Sequence, residues 1–165
     1  MMNKVDFKSY KTYFPEVELP VTLSDEKVMT FSSENKALPA GFISEFIEPI
    51  EKEIDEMTEF IPCLKIPDTK DFTALIYWKG SLMKYEFILV TYNKSNRFIC
   101  RRSIASVILD GELVKKSVAA IDKDLIISII AGENQKADEE YDPKNSKAFT
   151  MEILGDGEVI FSVDS

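Results

Sequence analysis

The chain has 165 residues, 45% of them hydrophobic and 30% charged, which bounds it as one globular domain, residues 1–165, and not a disordered chain. Its net charge of −9 opposes phosphate backbones, which proteins neutralise with clustered Lys and Arg, so a nucleic-acid partner is disfavoured. Cys63 and Cys100 are too few for a disulfide framework and lack zinc-ligand spacing, and no stretch reaches the roughly 18 apolar residues of a membrane helix. A soluble cytoplasmic protein with no membrane association is therefore expected.

Asp6 stands before Phe7, Tyr10, Tyr13 and Phe14, whose spacing predicts a short N-terminal helix ended by Pro15. Val17, Leu19, Val21 and Leu23 then alternate with polar residues and Pro20, which predicts an edge strand. Ser24-Asp25-Glu26 is read as a turn into a second strand over Lys27–Phe31.

From Ser44 to Ile61 apolar residues recur every three or four positions, at Phe46, Ile47, Ile50, Ile54, Met57 and Phe60, with acids between them. This predicts one amphipathic helix, with Pro49 kinking it or marking its first turn. Pro62 and Pro67 then predict an extended connection, so that residues 1–67 form a helical and extended part and 68–165 a β-meander.

Beyond Phe72 the pattern is of strands: Phe72–Trp78, Met83–Tyr92, Arg97–Ile104, Glu112–Ile121, Leu125–Ala131, Lys147–Leu154 and Glu158–Val163. Short connections such as Asp110-Gly111 and Asp156-Gly157 predict antiparallel neighbours. Glu133–Ser146 reads as an exposed acidic loop, whose Asp138, Glu139, Glu140 and Asp142 match no EF-hand spacing. The fold class expected is α+β, an antiparallel β-meander of about 6–7 strands. It is a curled sheet or partly open barrel covered by one amphipathic helix.

The chain has no histidine, which removes the commonest general base near neutral pH, the Ser-His and Cys-His pairs and the usual transition-metal ligand. No phosphate-binding glycine loop is present either. A non-enzyme is expected, with no cofactor, no metal site and no catalytic residue. Cys63 and Cys100 read as buried structural thiols.

Charge distribution suggests two candidate sites. The 44–61 segment sets seven carboxylates against Lys52, and Glu48, Glu51, Asp55 and Glu59, about a turn apart, would form an exposed ridge for a basic protein partner. The alternative is an ordinary solvated helix face. All three arginines, Arg97, Arg101 and Arg102, fall in one strand. Arg97 and Arg101 would share a face if no bulge intervenes, and with Tyr85, Tyr92 and Trp78 would bind a small anionic or aromatic ligand. Cross-strand pairing of these arginines with Glu86 or Glu112 is the simpler use for them.

Glu18-Leu19-Pro20-Val21-Thr22-Leu23, Phe60-Ile61-Pro62-Cys63, Tyr77-Trp78-Lys79 through Tyr85, and Ser117-Val118-Ala119-Ala120-Ile121-Asp122 resemble a family of small, uncharacterised bacterial proteins of the Bacteroidetes type. The resemblance spans residues 16–131 and implies a bacterial origin, with no activity and no site residues attached to it.

Overall fold

The computed structural model describes residues 5–135 and 146–162. The acidic run 138–142 lies outside the described residues. A short helix, α1 (Phe7–Lys11), leads into β1 (Val21–Leu23), α2 (Val28–Glu34) and α3 (Ala40–Phe42). The strands β2 (Glu59–Lys65), β3 (Phe72–Ser81), β4 (Lys84–Asn93), β5 (Phe98–Asp110), β6 (Leu113–Ile121), β7 (Ile126–Gln135), β8 (Lys147–Ile153) and β9 (Val159–Ser162) follow. No described helix is long and apolar enough to cross a membrane.

Every strand from β2 to β9 pairs antiparallel with the next, and most of the connections are short. Gly111 and Gly157 take the positive φ that their Asp-Gly turns require. The meander is therefore present, with two more elements than the expected range: β1, and a β2 formed by the segment taken for an extended connection. β6 borders β5 over Leu113–Lys116 and then β1 over Ala119–Ile121, so β1 fills the gap where β5 turns away. The Ser106 amide donates to the Ser117 hydroxyl at 2.9 Å beside this parting.

The sheet curls without closing into a barrel. The turn between β8 and β9 crosses to β4 and β5, where the Thr91 hydroxyl donates to the Gly157 carbonyl at 2.7 Å. A Cβ at Gly157 would come within 2.7 Å of Ile99 and 3.0 Å of Phe72, so only glycine allows this approach. Arg102 reaches the Val159 carbonyl at 3.3 Å on the same side. The concave interior is apolar, packed by Leu23, Leu64, Ile76, Leu89, Ile104, Ile121, Ile127 and Ile153.

The other face of β3 and β4 carries Leu75, Tyr77, Ile88, Val90 and Tyr92, alternating with the interior residues as the pleat dictates. Residues from the N-terminal third cover it, chiefly Phe7, Tyr10, Phe14, Leu38, Phe42 and Ile47. Asp6 caps α1, its carboxylate accepting from the Ser9 amide at 2.8 Å, which presents Phe7 and Tyr10 to the sheet.

Three expectations are corrected here. The long helix over 44–61 does not form. α3 passes into a π turn (Ile43–Ile47) and a 3₁₀ turn (Glu48–Ile50), the chain then runs irregularly, and Glu59–Lys65 is strand. Pro49 withholds an amide from the ladder, and Pro62 is accommodated because β2 is the terminal strand of the sheet, where a missing N–H breaks no strand ladder. Lys27–Phe31 is not the second strand of a hairpin, since Val28 and Phe31 pack on the concave core from one side of α2. Glu133–Gln135 continues β7 and does not begin a loop.

Candidate functional site

Glu51 is the centre of the most unusual chemistry in the chain. Its side chain has 0% exposure, although it stands just past the 3₁₀ turn in a region rich in solvated acids. Ile47 and Ile50 anchor that turn against the sheet, and the chain then extends at Glu51 with ψ of 148°, which drives its side chain inward.

Four donors meet the carboxylate. Tyr77 donates its hydroxyl at 2.6 Å, and Arg101 grips both oxygens through Nε and Nη2, the latter at 2.6 Å. Lys79 Nζ lies 3.1 Å away and also donates to the Lys52 carbonyl at 2.7 Å. Tyr77 and Lys79 are alternate residues of β3 and so share a face, and Arg101 is opposite Val90 on that same face. A bidentate guanidinium, an ammonium and a phenol saturate most of the carboxylate's lone pairs.

Burial alone would raise the Glu51 carboxyl above its ordinary range. The hydrogen bonds from Arg101 and Tyr77 and the Arg101 charge outweigh that and hold it below. For Arg101, burial disfavours the charge, and Glu51 more than restores it. Tyr77 is pushed up by burial and then by the Glu51 charge, so it stays a neutral donor. Near neutral pH Glu51 and Arg101 hold fixed charges and Tyr77 keeps its proton.

Two neighbours in this layer are less well served. The hydroxyls of Tyr10 and Tyr92 are buried with no hydrogen-bond partner among the described residues. Burial raises both phenols, with the Tyr92 and Glu51 fields adding to the effect at Tyr10. Each orphan hydroxyl costs about 1–3 kcal/mol, which the surrounding aromatic contacts offset. Those contacts include Tyr10 on Phe46 at 4.7 Å and Phe7 on Tyr92 at 4.6 Å.

The sequence-predicted site residues scatter. Arg97 sits exposed in the turn after β4, and a bulge between Cys100 and Phe98 separates its register from that of Arg101. Tyr92 is buried beneath Phe7, whereas Trp78 and Tyr85 stack at 5.9 Å towards the concave side. Trp78 lies flat over Gly80, where a Cβ would fall inside its ring. Of that set only Arg101 reaches the cluster, and its partner is Glu51, neither Glu86 nor Glu112. Within the acidic set, Glu48 is exposed in the 3₁₀ turn, Asp55 organises its own turn by accepting from the Met57 amide at 2.7 Å, and Glu59 opens β2. They form no helical ridge, and Glu51 points away from solvent. Its role had no local signal, since its partners are 26 to 50 residues distant.

Two of the grooves among the described residues carry charged side chains of both signs beside apolar ones. One, of about 350 Å³, opens beside the cluster and is lined by Ile50, Lys52, Glu53, Lys79, Lys84, Glu86 and Arg101. The larger, about 760 Å³, lies where the 16–19 segment passes the ends of the sheet. Its floor is Val17, Leu19, Pro67 and Leu125, and its rim Glu16, Glu18, Asp68 and Lys123. Burial pushes the Cys63 thiol far up, which leaves it a poor nucleophile. No described group of three or more Cys, Asp or Glu is arranged to hold a metal ion. No protein-family model, no curated protein and no solved structure matches the chain.

Proposed function

We propose that the protein is a non-enzymatic interaction module whose partner presents a short segment of basic and apolar side chains. The larger groove carries this reading. Its apolar floor removes aliphatic surface from water, and its rim sets three carboxylates against the single Lys123. Glu16 is partly committed, pairing with Lys65 at 3.3 Å, while Glu18 and Asp68 are exposed and have no ion-pair partner within 4 Å among the described residues. The overall charge of −9 speeds encounter with a cationic partner. The acidic surface expected from the sequence is thus kept as the basis of the function, and its place moves from the 48–59 segment to the groove.

A fluorescent octapeptide of alternating Lys and Leu serves as the probe. It should bind saturably, weaken as salt rises, and lose about tenfold in affinity to the Glu18→Lys, Asp68→Lys double variant. Equal, salt-independent binding to both proteins contradicts the proposal.

A further inference from the structure

We infer that the smaller groove is a binding site for a small oxyanion, a carboxylate or phosphate group carried by a metabolite-sized molecule. This does not rest on the function proposed above, since groove, ligand charge and test are all different.

Three cations at this groove keep unspent donors. Arg101 uses Nε and Nη2 on Glu51, which leaves the Nη1 amino group uncommitted to that carboxylate, and the side chain keeps 27% exposure. Lys79 has three N–H donors and spends them on the Lys52 carbonyl and Glu51, leaving one, on a side chain 6% exposed. Lys84 lies 3.7 Å from Glu86, beyond hydrogen-bond reach, so among the described residues its ammonium is paired in charge but not in hydrogen bonds. All three line the one groove, together with Lys52.

The charge balance points the same way. Four cations meet Glu51, Glu53 and Glu86 here, so positive charge predominates locally in a chain of net −9. Lys79 and Arg101 are also held in place: Glu51 fixes the guanidinium plane, and the Lys52 carbonyl fixes the ammonium. Preorganised donors lose little freedom on binding, which is what a specific anion site requires. The volume of about 350 Å³ is at the small end of ligand pockets, and the wall residue Ile50 supplies one apolar contact.

The test uses the full chain, with ¹H–¹⁵N spectra followed during titration with inorganic phosphate, with acetate, and with sodium chloride at matched ionic strength. Saturable shifts centred on Lys79, Lys84, Arg101 and residues 50–53, given by phosphate or acetate but not chloride, are expected. Which of the two binds more tightly names the oxyanion class. Lys84→Glu and Lys52→Glu, both at positions with substantial exposure, should each leave the remaining spectrum intact, and Lys84→Glu should weaken binding about tenfold. Shifts that track ionic strength alone, spread over the whole chain, or persist unchanged in Lys84→Glu overturn the assignment.

Discussion

The two faces of the β3–β4 pair are built from the same strands and held by different physics. On the concave side Ala74, Ile76, Phe87 and Leu89 pack against other strands of the same curled sheet, and the buried Thr91 hydroxyl is satisfied by the Gly157 carbonyl. On the convex side Leu75, Tyr77, Ile88, Val90 and Tyr92 meet a layer of short helical turns, with a buried carboxylate clamped at its margin and two hydroxyls that have no partner among the described residues. Apolar burial is non-directional, so the concave side gains its specificity from the ladder register. The convex layer has no ladder to the sheet it covers. One charged clamp, Glu51 on Arg101, Lys79 and Tyr77, gives it a defined seat.

The largest way to break this contrast is Glu51→Ala, which removes the carboxylate that Arg101 and Lys79 share. It should cost about 3–5 kcal/mol in denaturant unfolding, followed through Trp78, the chain's single tryptophan. Leu89→Ala on the concave face should cost about 2–5 kcal/mol by opening a cavity. It should do so without altering the response to acid.

That response distinguishes the faces further. Glu51 titrates below its ordinary value when folded, so its stabilisation is fully present above the unfolded Glu value of about 4.3. It is lost as pH falls through the lower, folded value. The stability gap between wild type and Glu51→Gln should therefore be constant near neutral pH and shrink in acid, whereas the gap to Leu89→Ala should not. A Glu51→Gln gap that persists unchanged to low pH would show that the carboxylate's charge is not what seats the layer.

The smallest effects separate satisfied phenols from orphans. Tyr10→Phe and Tyr92→Phe remove buried hydroxyls that have no described partner, so they should not destabilise the fold and should recover up to about 1–3 kcal/mol of desolvation cost. Tyr77→Phe takes a donor from Glu51 and should cost about 1.5–3 kcal/mol. Equal losses at all three positions would mean that the cluster gains nothing from its phenol.

The concave half of this comparison was legible in the sequence, and of the convex half only α1 with its Asp6 cap was. Alternation in segments such as Phe149, Met151 and Ile153, with Asp-Gly turns, marks strands through rules that operate within ten residues, and β3 to β9 lie close to where those rules put them. Phe149 nonetheless keeps 43% exposure while Met151 and Ile153 are buried, so alternation gave the side and not the depth. The 44–61 segment has an equally clear helical period. Pro49, the inward Glu51 and the pairing of Glu59–Lys65 with β3 override it, and only the last two depend on tertiary contact. A reading that gave Pro49 more weight would have shortened the helix. The 3₁₀ turn Asp25–Lys27 that leads into α2 had a usable signal in Ser24-Asp25-Glu26, an N-terminal pattern with acids in its first turn. The burial of Glu51 had none, because the residues that make it favourable are in β3 and β5.

The central claim, that Glu51 and Arg101 together seat the N-terminal layer, is tested most directly by a double-mutant cycle on Glu51→Gln and Arg101→Met, read by denaturant unfolding at neutral pH. A buried bidentate pair predicts a coupling energy of at least about 1.5 kcal/mol, with the double variant less destabilised than the sum of the singles. A coupling below about 0.5 kcal/mol, the ordinary scatter of independent sites, would contradict it.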